Sequence, residues 1–154
     1  MATRSKLLYS AAAVRRMLDL SDSTPVQVRE FFNAIWVWVK GTRPTFISKS
    51  DFKVHFVERR KAASVHLTIT PWLYRRGRYT ISNPRSGSSY VVDCFPDSLD
   101  CACEDYHWQQ ITFGKGCCKH GYAVLRHLEF DSLHDYVDYV DQHGFDAIGD
   151  RPAA

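Results

Sequence analysis

Long apolar runs are missing from this 154-residue chain. The longest, around residues 34–39, falls far short of the ~20 residues that a membrane-spanning helix needs, so no membrane association is expected. Several catalytic signatures are missing too. The chain has no phosphate-binding glycine loop, no H-E-x-x-H helix, no G-x-S-x-G elbow and no H-x-E with P-C-x-x-C pair, and a non-enzymatic role is expected. There is no internal repeat or low-complexity linker, which points to one integrated domain. Acids are scarce in the first half: residues 1–78 hold five Asp or Glu against fifteen Lys or Arg, a net +10. Residues 79–154 hold twelve acids against five bases, a net −7. Such an asymmetry suggests a side that faces a polyanion and a side that does not.

The five cysteines are an odd number, two of them are adjacent, and no secretory signal precedes them. A disulfide framework is therefore disfavoured, and an intracellular location, cytoplasmic or nuclear and nucleoid-associated, is expected. What is present instead is Cys101-Ala102-Cys103, a fourteen-residue spacer, and Cys118-Lys119-His120. Three thiolates and an imidazole form a soft tetrahedral donor set suited to Zn²⁺, and four protein ligands leave no open position for water. One structural zinc ion is the expected cofactor. Gly114 and Gly116 break the chain before Cys118, and Ala123, Val124, Leu125 and Leu128 follow at helical spacing, so Cys118 and His120 belong at a helix start, where the dipole favours a thiolate. By spacing alone Cys117 is an alternative to Cys118, and His107 or His127 to His120.

With Tyr90-Val91-Val92 upstream and Ala123 three residues after His120, the pattern C-x-C-x(n)-C-x-H resembles the SWIM zinc finger over residues 79–128. The resemblance implies a strand, strand, helix unit with Cys101, Cys103, Cys118 and His120 as ligands; Cys94 and Cys117 match nothing in it. SWIM fingers are similar across chromatin remodellers, Mutator-type transposases, ubiquitin-ligase kinases and recombination accessory factors. The implied partners are nucleic acid, DNA ahead of RNA, or a protein of a nucleic-acid-processing complex.

Around the finger, periodicity predicts the remaining elements. Residues 1–20 carry Leu7, Leu8, Ala11, Val14 and Leu18 at helical spacing. Thr24-Pro25-Val26-Gln27 reads as a capping box, and Val28, Phe31, Phe32, Ile35 and Val39 predict a second helix. Phe52, Val54 and Phe56, then Val65, Leu67 and Ile69, alternate as two strands joined by a basic hairpin loop at Arg59, Arg60 and Lys61. A second basic cluster, Arg75, Arg76 and Arg78, lies among Trp72, Tyr74 and Tyr79. Arginines interleaved with aromatics can hold phosphates while rings stack on bases, so these six basic residues are the candidate nucleic-acid contacts. The spacer residues Tyr106, Trp108, Ile111 and Phe113 are expected to pack as a loop on the metal site. Asp131 or Ser132 caps a last, acidic helix ended by Gly144, and residues 149–154 read as a frayed tail.

The predicted fold is α+β: N-terminal helices, a small antiparallel sheet continuing into the hairpin of an integrated ββα finger, and a C-terminal helix. Its segments are a basic helical and hairpin region (1–78), the finger (79–130) and the acidic helix (131–148). The alternative function is an adaptor whose finger and acidic helix dock on a DNA- or RNA-handling protein.

Overall fold

The computed structural model describes residues 4–149 and has an α+β fold. It divides into two compact units, Met1–Arg59 and Arg60–Ala154. Of the tail expected at 149–154, residues 150–154 lie outside the described residues. Among the described residues no helix is long and apolar enough to cross a membrane.

In the first unit the expected opening helix forms as two short ones, α1 (Arg4–Leu8) and α2 (Ala11–Met17), divided where Ser10 turns extended and its hydroxyl accepts the Ala13 N–H as an N-cap. The second predicted helix is not formed. Residues 26–39 are instead a hairpin, β1 (Val26–Glu30) and β2 (Ala34–Val39), closed by a Phe31 N–H to Ala34 carbonyl bond of 2.9 Å. The segment 34–39 is one continuous apolar run, so the helical spacing chosen for it was only one of two possible periods. Five of its residues, Ile35 to Val39, are Val, Ile or Trp in unbroken succession, and branched and aromatic side chains fit a pleated surface better than a helical one. Its burial alternates strictly, with Ile35, Val37 and Val39 inward.

A third strand, β3 (Thr45–Ser48), completes an antiparallel sheet in the order β1-β2-β3. The two strands and basic loop expected after it are replaced by one helix, α3 (Lys49–Ser64). Ser48 Oγ accepts the Asp51 N–H at 3.0 Å and starts it. Phe52, Phe56, Arg60 and Ser64 fall four residues apart on its covered side, whereas Val54, which alternation would bury, is exposed. The Phe52 ring meets Tyr9 edge-on at 5.5 Å, and with Leu8, Val14, Ile35 and Val37 it forms the first unit's core. The unit boundary falls within α3.

The second unit holds a separate four-stranded meander, so the sheet does not continue from the first half into the finger as expected. Its strands are β4 (Thr68–Pro71), β5 (Arg78–Ser82), β6 (Ser89–Phe95) and β7 (Ser98–Cys101), in that order and all antiparallel. β5 and β6 are the predicted finger hairpin. The spacer expected as a loop is a helix, α4 (Glu104–Phe113), because Cys103 caps its start and Gly114, at φ 71°, closes its end. Then come α5 (Lys119–His127), α6 (Leu133–His143), capped by Ser132 and ended at Gly144 as predicted, and a 3-10 turn at Phe145–Gly149. One core of Ile81, Val92, Leu99, Val124, Leu125 and Tyr136 joins the meander to α5 and α6. The Tyr136 hydroxyl ties them further by donating to the Phe95 carbonyl at 2.7 Å.

Candidate metal centre

Four donors converge between the end of β7 and the starts of α4 and α5. Cys101 is the last residue of β7, Cys103 is the N-cap of α4, Cys118 is the N-cap of α5, and His120 lies in the first turn of α5. All four are buried, and their Sγ and imidazole nitrogen atoms lie within 4.8 Å of one another. The alternatives left open by spacing are placed elsewhere: His107 and His127 are exposed, and the buried Cys117 is not in the cluster. All five cysteines are free, so no disulfide competes for these sulfurs.

The geometry suits a tetrahedral ion. Bonds of about 2.3 Å to sulfur and about 2.05 Å to nitrogen, at the tetrahedral angle, separate S from N by roughly 3.6 Å. His120 Nδ1 lies 3.7 Å from both Cys101 Sγ and Cys118 Sγ. Two helix starts aim N–H groups at the sulfurs: Tyr106 N–H reaches Cys103 Sγ at 3.4 Å and Gly121 N–H reaches Cys118 Sγ at 3.5 Å. These donors favour anionic sulfur there. Hydrogen bonds from Cys101 and Cys118 hold Cys103 well below the ordinary thiol value. The Cys103 partner pushes Cys101 up to about 12, and sharing with Cys101 and Cys103, together with burial, pushes Cys118 up. The cluster can hold one metal ion, and its donors are all supplied by protein.

A polar network supports Cys118 from behind. Gln109, 2 % exposed, accepts the Cys117 N–H through Oε1 at 3.0 Å and donates through Nε2 to the Cys117 carbonyl at 3.3 Å and to Asp105 Oδ2 at 3.1 Å. Asp105 is in turn gripped by Arg60 through two bonds of 2.9 and 2.6 Å. The chain around Gln109 is correspondingly tight. A Cβ on Gly116 would stand 2.5 Å from the Gln109 side chain, and one on Gly121 would stand 2.8 Å from Cys117 Sγ. Across the site the His120 ring lies against Tyr90, centroids 4.6 Å apart. Sequence reasoning missed Gln109 and Asp105. Their signal, two polar residues four apart in the spacer, has meaning only once that spacer is a helix.

The candidate nucleic-acid contacts do not behave as a set. Arg60, 8 % exposed, faces Asp105 and not solvent, and Lys61 lies 6.0 Å over the Tyr122 ring. Arg59 is the exposed member of that cluster. In the second cluster Arg78 is clamped on Asp93 by bonds of 2.6 and 2.7 Å beneath the Trp72 ring. Arg76 donates to the Asp146 carbonyl, while Arg75 is more than half exposed, 3.7 Å from Asp93. Arg75 and Arg76 line a cleft of about 450 Å³ with Trp72, Tyr79, His127 and Glu129. Leu73 is also on its lining and Tyr74 is the neighbouring residue, 91 % and 100 % exposed. Compared with protein-family models, with curated proteins and with solved structures, the chain matches none.

Proposed function

We propose that this chain is a non-enzymatic, SWIM-like module, folded around one structural zinc ion, that binds nucleic acid inside the cell, DNA ahead of RNA. The observation that carries the reading is the buried Cys101, Cys103, Cys118 and His120 cluster. Three thiolates with one imidazole favour zinc over oxygen-seeking cations, and a four-protein donor set serves folding in preference to catalysis. Support for the nucleic-acid half of the reading comes from the loop after β4, where the exposed Tyr74 and the half-exposed Trp72 adjoin Arg75 and Arg76. Arg60 and Arg78 drop out of the contact set because Asp105 and Asp93 already occupy them.

Elemental analysis of the purified chain is expected to return one zinc per chain, with loss of helical circular dichroism on chelation. Binding of a labelled oligonucleotide is expected to weaken steeply with salt, and Arg75→Glu with Arg76→Glu to flatten that dependence. A metal-free chain that melts unchanged rejects the zinc reading. A protein adaptor is the second reading, favoured by Leu73, an aliphatic residue exposed between the exposed rings of Trp72 and Tyr74 in one contiguous apolar stretch. Absence of oligonucleotide binding at low salt selects it.

A further inference from the structure

The sheet of the first unit has two unlike faces. Ile35, Val37 and Val39 on β2 are buried on one. The cross-strand register puts Arg29, Trp36 and Phe46 in one row on the other, with Gln27 and Trp38 in the next row. Phe31 extends the aromatic row by meeting Phe46 edge-on at 5.8 Å. On this face Gln27, Arg29 and Phe46 are exposed, Phe46 by 61 %, and the two tryptophans are half-buried.

Rings held on a sheet are rigid, flat and open to a π-stacking partner. Trp36 and Trp38 are two residues apart on one strand, about 6.8 Å, whereas successive nucleotides in a duplex strand rise about 3.4 Å. The pitch suits bases spread onto separate rings and not bases stacked on one another. The electrostatics agree. The unit carries ten Lys or Arg against five Asp or Glu, a net +5. Its Glu30 is engaged by Lys49 at 2.7 Å, while Arg29 on the aromatic face has no acid partner among the described residues. Lys40 and Arg43 are exposed in the connection between β2 and β3.

We infer that the Arg29–Trp36–Phe46 face of the N-terminal sheet is a stacking site for single-stranded nucleic acid, with rings holding bases and Arg29 holding a phosphate. The inference deepens the nucleic-acid reading and rests on it, but it moves the base contacts to the first unit. A protein partner would accept the rings as readily, yet it would not respond to salt through Arg29 alone.

The test uses the full metal-loaded chain and labelled oligodeoxythymidine and oligouridine of about 12 nucleotides. Phe46→Ala is expected to weaken binding of either strand about ten-fold, and Arg29→Ala to reduce the salt slope by about one. Both positions are exposed, so circular dichroism should not change; Trp36→Leu, which is half-buried, serves as a third variant. A matched duplex that binds as tightly as the single strands overturns the inference. Binding that depends on Arg75 and Arg76 but ignores Phe46 and Arg29 overturns it too and leaves the proposed function standing. A wild-type chain that binds neither the single strands nor the duplex at low salt overturns both.

Discussion

Replacing Gln109 by Leu tests whether the ligand Cys118 is held by its own helix or by the network behind it. The substitution keeps a side chain of similar bulk and removes three hydrogen bonds, two of them to the backbone N–H and carbonyl of Cys117. With Gln109 2 % exposed, water cannot take over those two groups without repacking. Each orphaned backbone group costs about 1–3 kcal/mol, so the gross loss is about 2–6 kcal/mol. Burying the extra apolar surface of Leu returns about 1–2 kcal/mol. A net loss of about 1–4 kcal/mol follows, or several degrees of melting temperature at about 4–8 °C per kcal/mol for a unit of this size. Because Cys118 is the next residue, metal affinity should fall as well, by about 10- to 100-fold, as when other outer-shell partners are removed. The assay pairs thermal unfolding of the metal-loaded chain with competition against a chromophoric chelator. A melting temperature and a metal affinity both unchanged would refute the network. A lower melting temperature at unchanged affinity would assign Gln109 to packing alone.

Three further outcomes are expected. Cys118→Ser should lose the metal, whereas Cys117→Ser should keep it; equal loss in both would undo the ligand assignment. Gly121→Ala should lower stability by about 1–2 kcal/mol although Ala is the better helix former by about 1 kcal/mol, because its Cβ would meet Cys117 Sγ at 2.8 Å. Adding Cys117→Ala should recover most of that loss in a double-mutant cycle, and no recovery would place the strain elsewhere. Hydrogen bonds from Arg78 hold Asp93 below the ordinary carboxylate value, so the pair stabilises the fold above the unfolded carboxylate pKa of about 3.9 and loses that contribution as pH falls through the lower folded value. Asp93→Asn should therefore lower the melting temperature at pH 7 and converge with the wild type in acid below about pH 4, which scans across pH will show; a constant difference would refute the pairing.

The parts of this molecule that were legible in its sequence are those fixed within a few residues. Cys118 starts α5 because Gly114 and Gly116 end what precedes it, and Ser132 and Gly144 bracket α6. The first half was misread where one string fits two periods. Phe52 and Phe56, four residues apart, share one face of an alternating strand and also one face of a helix, and only Arg60 and Ser64 continuing on the same side decide between them. That continuation was hidden because an arginine is not expected on a covered face. Its partner, Asp105, is 45 residues away, and nothing near Arg60 announces it.

The same long-range pairing changes what the charge asymmetry means. Counted at residue 78, the chain is +10 against −7, and the basic loops look like the polyanion contact. Arg60 and Arg78 belong to that first count and Asp105 and Asp93 to the second, yet each arginine is folded onto its acid. Part of the asymmetry is therefore the two sides of ion pairs, whose net charge is zero. Counted at the boundary between the folded units, the balance is +5 for residues 1–59 and −2 for residues 60–154. The surplus that survives pairing lies in the unit whose sheet exposes Arg29 beside Phe46 and Trp36. The positive surplus and the exposed aromatic row thus coincide on that unit, while the metal cluster, in the other, is backed by Arg60, Asp105 and Gln109 bonded to one another.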